Sequence, residues 1–226
     1  MQLTEIAEDV WGAEGTVKPG PGMRMRTRMT VIRKPNGGVL VHSPIELSDE
    51  LAAEIESMGT VEEIVSPNLF HHLFLRGALD RFPNAEFYAS EGLAKKRQDL
   101  PSATSLVPQQ NWLGCLDVFA LGGMPRFQEF VFLHRPSKTL IVTDLIFNEP
   151  VGETASTRLF FRIFGTYGRL AVSRLFRGVI QDKKAFGASL EPIVSLECER
   201  VVMAHGKILE SDAQQRFASV MQPFAL

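Results

Sequence analysis

An α/β fold is predicted for this chain from three observations. Short β-type runs alternate with amphipathic helical stretches over the first hundred residues, three β runs follow one another in the middle, and a long helical region then leads back to a last strand. The 226 residues, 45% of them apolar and 22% charged, suit one large core, and the expectation is a single domain spanning residues 1–226.

The elements can be justified in chain order. Gly20-Pro21-Gly22 makes a turn, and Met23-Arg24-Met25-Arg26-Thr27-Arg28-Met29 alternates apolar with polar side chains, as an edge strand protected by charge would. Met29–Arg33 and Gly38–His42 flank Lys34-Pro35-Asn36-Gly37, whose Asn-Gly step supplies the positive φ of a tight hairpin. Ser48 and Asp49 offer a helix N-cap, Leu51, Ile55 and Met58 share a face, and Gly59 is a stop. Strand Glu63–Val65, a helix from Leu73 to Leu79, strand Ala85–Ala89 and a short helix from Glu91 to Arg97 continue the alternation. Asp117–Leu121, Glu129–Leu133 and Thr139–Val142 read as antiparallel neighbours, with a turn at Pro136-Ser137-Lys138. Residues 155–190 carry broad apolar helical faces, Arg200–Met203 is a strand, and Ser211 caps a final short helix.

Composition excludes several classes of function. A formal charge of -2 and a pI near 6.2 give no reason to expect nucleic acid as a partner. No window approaches the roughly 18 apolar residues of a membrane span, and the acidic start Met1–Asp9 lacks the basic and apolar regions of a secretory signal. Cys115 and Cys198 are unpatterned and read as two reduced thiols, with a single bridge as the alternative, so the expected location is cytoplasmic. A small-molecule substrate fits this profile, and homo-oligomerisation is left open.

Chemistry concentrates at strand ends. His71-His72 directly follow one apolar run, Asp144 ends the run Thr139–Val142, and His205 sits in an Ala-His-Gly turn after another strand. Imidazoles and a carboxylate from distant strand ends are how a compact α/β protein assembles a divalent-metal site. Adjacent histidines on a regular strand point to opposite sides, so both bind one ion only if the backbone turns there, and His72 is the favoured member of the pair. The alternative for His205 is a solvated turn residue, and for Asp144 a helix cap.

This order of motifs resembles the metallo-β-lactamase superfamily, whose signature is Thr-His-x-His-x-Asp-His, then Gly-His-Thr-Pro, an Asp, and Gly-His. Within it, Ser-Pro-Asn-Leu-Phe-His-His-Leu-Phe, Phe-Pro-Asn-Ala and Thr-Leu-Ile-Val-Thr-Asp-Leu-Ile-Phe-Asn look like the DUF4336 family. The resemblance implies an αββα four-layer sandwich with metals at one sheet edge. It also shows a systematic departure: Pro67, Leu69 and Gly123 occupy the three histidine places of the first metal. His71, His72, Asp144 and His205 occupy the places of the second.

What this implies is one divalent transition metal, zinc or iron first among the candidates, held by His71, His72, Asp144 and His205 and polarising water for hydrolysis of an unspecified substrate. Two other readings stand beside it: a non-catalytic scaffold, with or without a structural metal, and redox chemistry at iron. His42 is read as a residue beneath the site or a core histidine, His134 as a surface turn residue, and Glu129 as a substitute ligand or general base. The segment from Arg158 to Arg177 holds five arginines; the favoured reading is a core helix flanked by their stems, and the other is an anion-binding surface that could converge with Arg24, Arg26 and Arg28 beside the metal.

Overall fold

Two sheets lie face to face between two layers of helices in the computed structural model, which describes residues 1–108, 112–148 and 150–224. The first sheet has seven strands in chain order: β1 (Thr4–Ala7), β2 (Val10–Val17), β3 (Met25–Arg33), β4 (Val39–His42), β5 (Val61–Ser66), β6 (Glu86–Ala89) and β7 (Thr104–Ser105). Its first four strands are antiparallel, and β4 to β7 run parallel because α1 (Asp49–Met58), α2 (Leu75–Arg81) and α3 (Leu93–Lys96) intervene. The second sheet is built from β8 (Leu116–Ala120), β9 (Phe130–His134), β10 (Thr139–Ile141) and β13 (Arg200–Val202), in the order β13-β10-β9-β8. Between β10 and β13 the chain forms the β11 (Phe147–Asn148) and β12 (Leu170–Ala171) pair and helices α4 (Ala155–Ile163), α5 (Arg174–Val179) and α6 (Lys183–Val194); α7 (Ala213–Met221) follows.

Alternation along the strands assigns the layers. Val31, Val39, Val41 and Ile64 face outward onto Leu51, Ile55, Leu75 and Leu79 of α1 and α2. Their neighbours Ile32, Leu40 and Val65 face inward and meet Val118, Phe132, Ile141 and Val202 of the second sheet. Val131, Leu133, Leu140 and Val201 face the far side, onto Phe176, Phe186, Leu190 and Phe217 of α5, α6 and α7. The central strands of both sheets are thus covered on both faces, and the expected αββα sandwich is the observed one.

Several local expectations hold. The β3–β4 hairpin turns at Gly37 with φ 83°, Ser48 caps α1 by accepting the Leu51 N–H, and both cysteines are free and buried. Others are corrected. The Met-Arg alternation lies in and just before β3, which is flanked by β2 and β4 and is not an edge. Residues 155–190 form three helices, because Gly165 and Gly168 take positive φ and β12 interrupts them. At the last helix Asp212, not Ser211, occupies the cap position, without a side-chain cap bond. His134 is buried at the end of β9, 2.7 Å from the Ser137 hydroxyl, so the surface reading fails. Among the described residues no helix is long and apolar enough to cross a membrane.

Candidate metal centre

Three of the four proposed ligands come together at the ends of β5, β10 and β13. His71 Nε2 lies 3.3 Å from Asp144 Oδ2, and His205 Nε2 lies 3.2 Å from Asp144 Oδ1. One ligand atom from each of the three residues lies within 4.8 Å of the others. Two donors of a tetrahedral zinc, each bound at about 2.0–2.1 Å, stand about 3.4 Å apart, so the spacing suits one ion.

The hydrogen bonds behind the rings sharpen the point. His205 Nδ1 is 2.7 Å from the Arg26 carbonyl oxygen, which can only accept, so Nδ1 carries the proton. A neutral His205 therefore turns its Nε2 lone pair toward the Asp144 carboxylate, an arrangement that needs a cation or a proton between them. An outer N–H donated to a backbone carbonyl is the usual support of a metal-binding imidazole. His71 has Ser43 Oγ 2.6 Å from Nδ1, and Ser43 itself sits at φ 54°, a strained position for a residue with a Cβ. The donor set and its supports fit a divalent transition metal.

His72 is not brought to this cluster. Arg97 donates to its carbonyl at 2.6 Å and lies 3.0 Å from its Nδ1, and a guanidinium has no acceptor to offer. Nδ1 is thereby occupied and the remaining proton falls on Nε2. Burial, with the nearby Lys96 and Arg97 charges, lowers the His72 pKa to about 4, so the ring is neutral and lines the cavity beside the cluster. The sequence expectation that His72 is the stronger ligand of the pair reverses: the chain turns between the two, and His71 faces Asp144.

Asn68, which sequence reasoning passed over, organises the loop. Its Oδ1 accepts the N–H groups of Phe70 and His71, while Nδ2 donates to Glu129 Oε2 at 2.7 Å and lies 3.0 Å from Asp144 Oδ2. Glu129 is neither substitute ligand nor base in this arrangement. Its Oε1 accepts from the backbone N–H groups of Thr143, Asp144 and Leu145 and so holds the turn that presents Asp144. Burial and the Asp144 charge push Glu129 up to about 7. Burial pushes Asp144 upward too, but the His71 charge and the bonds to His205 and His71 outweigh it and hold Asp144 far below the usual carboxylate range. His71 moves the other way: burial lowers it, and Asp144 raises it further.

Arg28 supports the other side. It is buried, donates to the carbonyls of Met203 at 2.5 Å and Gly206 at 2.9 Å on either side of His205, and pairs with Glu14 at 2.6 Å. Gly206 has φ 103° and would drive a Cβ to 1.9 Å from the Asn148 carbonyl oxygen, so the residue after His205 must be glycine. Phe147 stacks on the His205 ring with centroids 4.9 Å apart. His42 is buried beneath the cluster, edge-on to Phe132, and Nε2 has no partner among the described residues.

Among the described residues no second group of metal donors gathers around Pro67, Leu69 and Gly123. Pro67 and Leu69 are buried, and Leu69 packs into the core beneath the helices. Gly123 has φ 71°, and a Cβ there would lie 2.0 Å from the Asp182 carbonyl oxygen, because the α5–α6 connection rests on this turn. A cavity of about 480 Å³ opens above the cluster, and among the described residues no arginine or lysine lines it, so the arginines do not converge on the cavity.

Comparison with known proteins agrees with this fold. The family model of the domain of unknown function DUF4336 matches residues 21–159, and no curated protein matches the sequence. Solved structures of the same fold include a metallo-beta-lactamase from Pontibacter korlensis, 17% identical, with a TM-score of 0.66 over 98% of both chains. The DIM-1 metallo-beta-lactamase is 14% identical, with a TM-score of 0.68 over 98% of this chain and 97% of its own. The metallo-beta-lactamase FIM-1 from Pseudomonas aeruginosa in its mono-zinc form is 13% identical, with a TM-score of 0.66 over 98% and 95%. Identities this low carry the fold and not the activity.

Proposed function

We propose that this chain, which belongs to the DUF4336 family, is a hydrolase of a small-molecule substrate that depends on one divalent transition metal held by His71, Asp144 and His205. The observation that carries the reading is the pair of Nε2-to-carboxylate approaches of 3.3 Å and 3.2 Å, with the outer nitrogen of His205 already committed to a carbonyl. Three protein donors are the number that catalytic zinc sites use, leaving a position open toward the cavity. A metal bound there would supply Lewis acidity to a substrate oxygen and to water.

The chain's own groups supply the rest. Asp144 stays ionised and Glu129 fixes the backbone that presents it. The neutral His72 lines the cavity beside the cluster, and most of the wall around it is apolar. A structural neighbour described in a mono-zinc form is in keeping with one ion held by this fold. Zinc and iron both suit two imidazoles and a carboxylate.

Elemental analysis of protein purified without added metal tests the proposal, followed by turnover of an ester, thioester, phosphodiester and lactam panel. About one zinc or iron per chain and chelator-sensitive hydrolysis are expected. A chain that binds neither ion, even on reconstitution, is a scaffold and not this enzyme.

A further inference from the structure

Above the cluster the cavity is mostly apolar. Val17, Met25, Phe127, Phe147, Phe160 and Val179 form its walls. Phe70, Leu73 and Leu175 line it as well and remain 48%, 58% and 51% exposed, far more than side chains of this size are in a finished core. Its charged and titratable groups are confined to His71, His72, Asp144 and His205. Thr166, also in the lining, is buried, and its hydroxyl has no partner among the described residues.

We propose that the substrate is an amphiphile whose uncharged, lipophilic body fills this cavity while its single polar, reactive group meets His71, Asp144 and His205. The inference rests on the metal reading only for which end of the molecule faces the cluster. About 480 Å³ is within the range that encloses a drug-sized ligand. Lys96 and Arg97 lie behind the Phe70 and His72 rings and not in the lining, so an anionic body such as a nucleotide or sugar phosphate meets no lysine or arginine in the walls. An apolar body gains with each methylene withdrawn from water.

The test uses the uncharged dye N-phenyl-1-naphthylamine, displaced by straight-chain 1-alkanols from butanol to decanol, on both as-isolated and chelator-treated protein. Affinity is expected to rise about threefold to fourfold per methylene in both preparations, the increment for a CH₂ fully removed from water. Leu175→Glu, at an exposed position in the lining, lowers decanol affinity at least tenfold. Leu159→Glu, 56% exposed and outside the lining, leaves it unchanged. A chain-length increment below about 1.5-fold, or equal effects of the two variants, overturns the inference. If the chain-length dependence persists in protein that never binds metal, the hydrolase reading fails and this one stands.

Discussion

His205 turns Nδ1 to the carbonyl oxygen of Arg26, 2.7 Å away, and this one bond decides which of its nitrogens is free to bind an ion. The first prediction follows from it. His205→Ala, His71→Ala and Asp144→Ala are each expected to weaken zinc binding on the order of 100-fold or more, whereas His72→Ala changes it by less than about threefold. Competition against a chromophoric chelator measures this. Equal losses at positions 71 and 72 would return His72 to the ligand set.

Arg28 grips the carbonyls on both sides of His205, so its loss should be felt at the metal without touching it. Arg28→Met leaves two carbonyls short of a donor. We expect roughly 1–3 kcal/mol of lost stability and about tenfold weaker metal binding. Arg28→Lys should rescue little, because an ammonium cannot span both carbonyls and Glu14 as the guanidinium fork does. Urea unfolding and the same chelator competition give the two readouts; a lysine variant that behaves as wild type contradicts the clamp.

Glu129→Gln probes the turn that carries Asp144. The new amide must keep its oxygen on the three backbone N–H groups, which sets its NH₂ against the Asn68 NH₂. Asn68 cannot flip without abandoning the N–H groups of Phe70 and His71. A loss of about 2–3 kcal/mol is expected in metal-free protein, read from denaturant midpoints. An unchanged midpoint would falsify the four-donor description of this carboxylate.

His42 gives a pH prediction. Burial, reinforced by the His71 charge, lowers its pKa from 6.5 to about 3 in the folded protein. The unfolded chain therefore takes up a proton first, so the His42 contribution is fully present above pH 6.5 and is lost progressively as the pH falls toward about 3. The shift corresponds to a few kcal/mol over that window. His42→Leu should flatten the fall in unfolding free energy relative to wild type; parallel profiles from pH 7 to pH 4 would show that His42 does not drive it.

Much of the fold was legible because periodicity reports burial directly. Val39, Leu40 and Val41 alternate between the two sides of one sheet, and the Asn36-Gly37 turn fixes the register of β3 against β4. The strands β1 and β2 were not read, since Trp11, Gly12, Ala13 and Gly15 give no clean alternation. The site was legible as residue types at strand ends. Which of two adjacent histidines faces inward was not, because that depends on Asn68 bending the loop and on Arg97 reaching back from the far end of α3. Asn68 announces itself only as an asparagine before a His-His pair, and Arg28 looked like one charge in an exposed row; tertiary placement alone makes them supports.

The seat of Gly123 against the Asp182 carbonyl has a bearing on engineering. No single codon change can place a side chain at this position, because the room a Cβ would need is already filled by the chain itself. Anyone installing a donor at this turn would have to reroute residues 181–182 first.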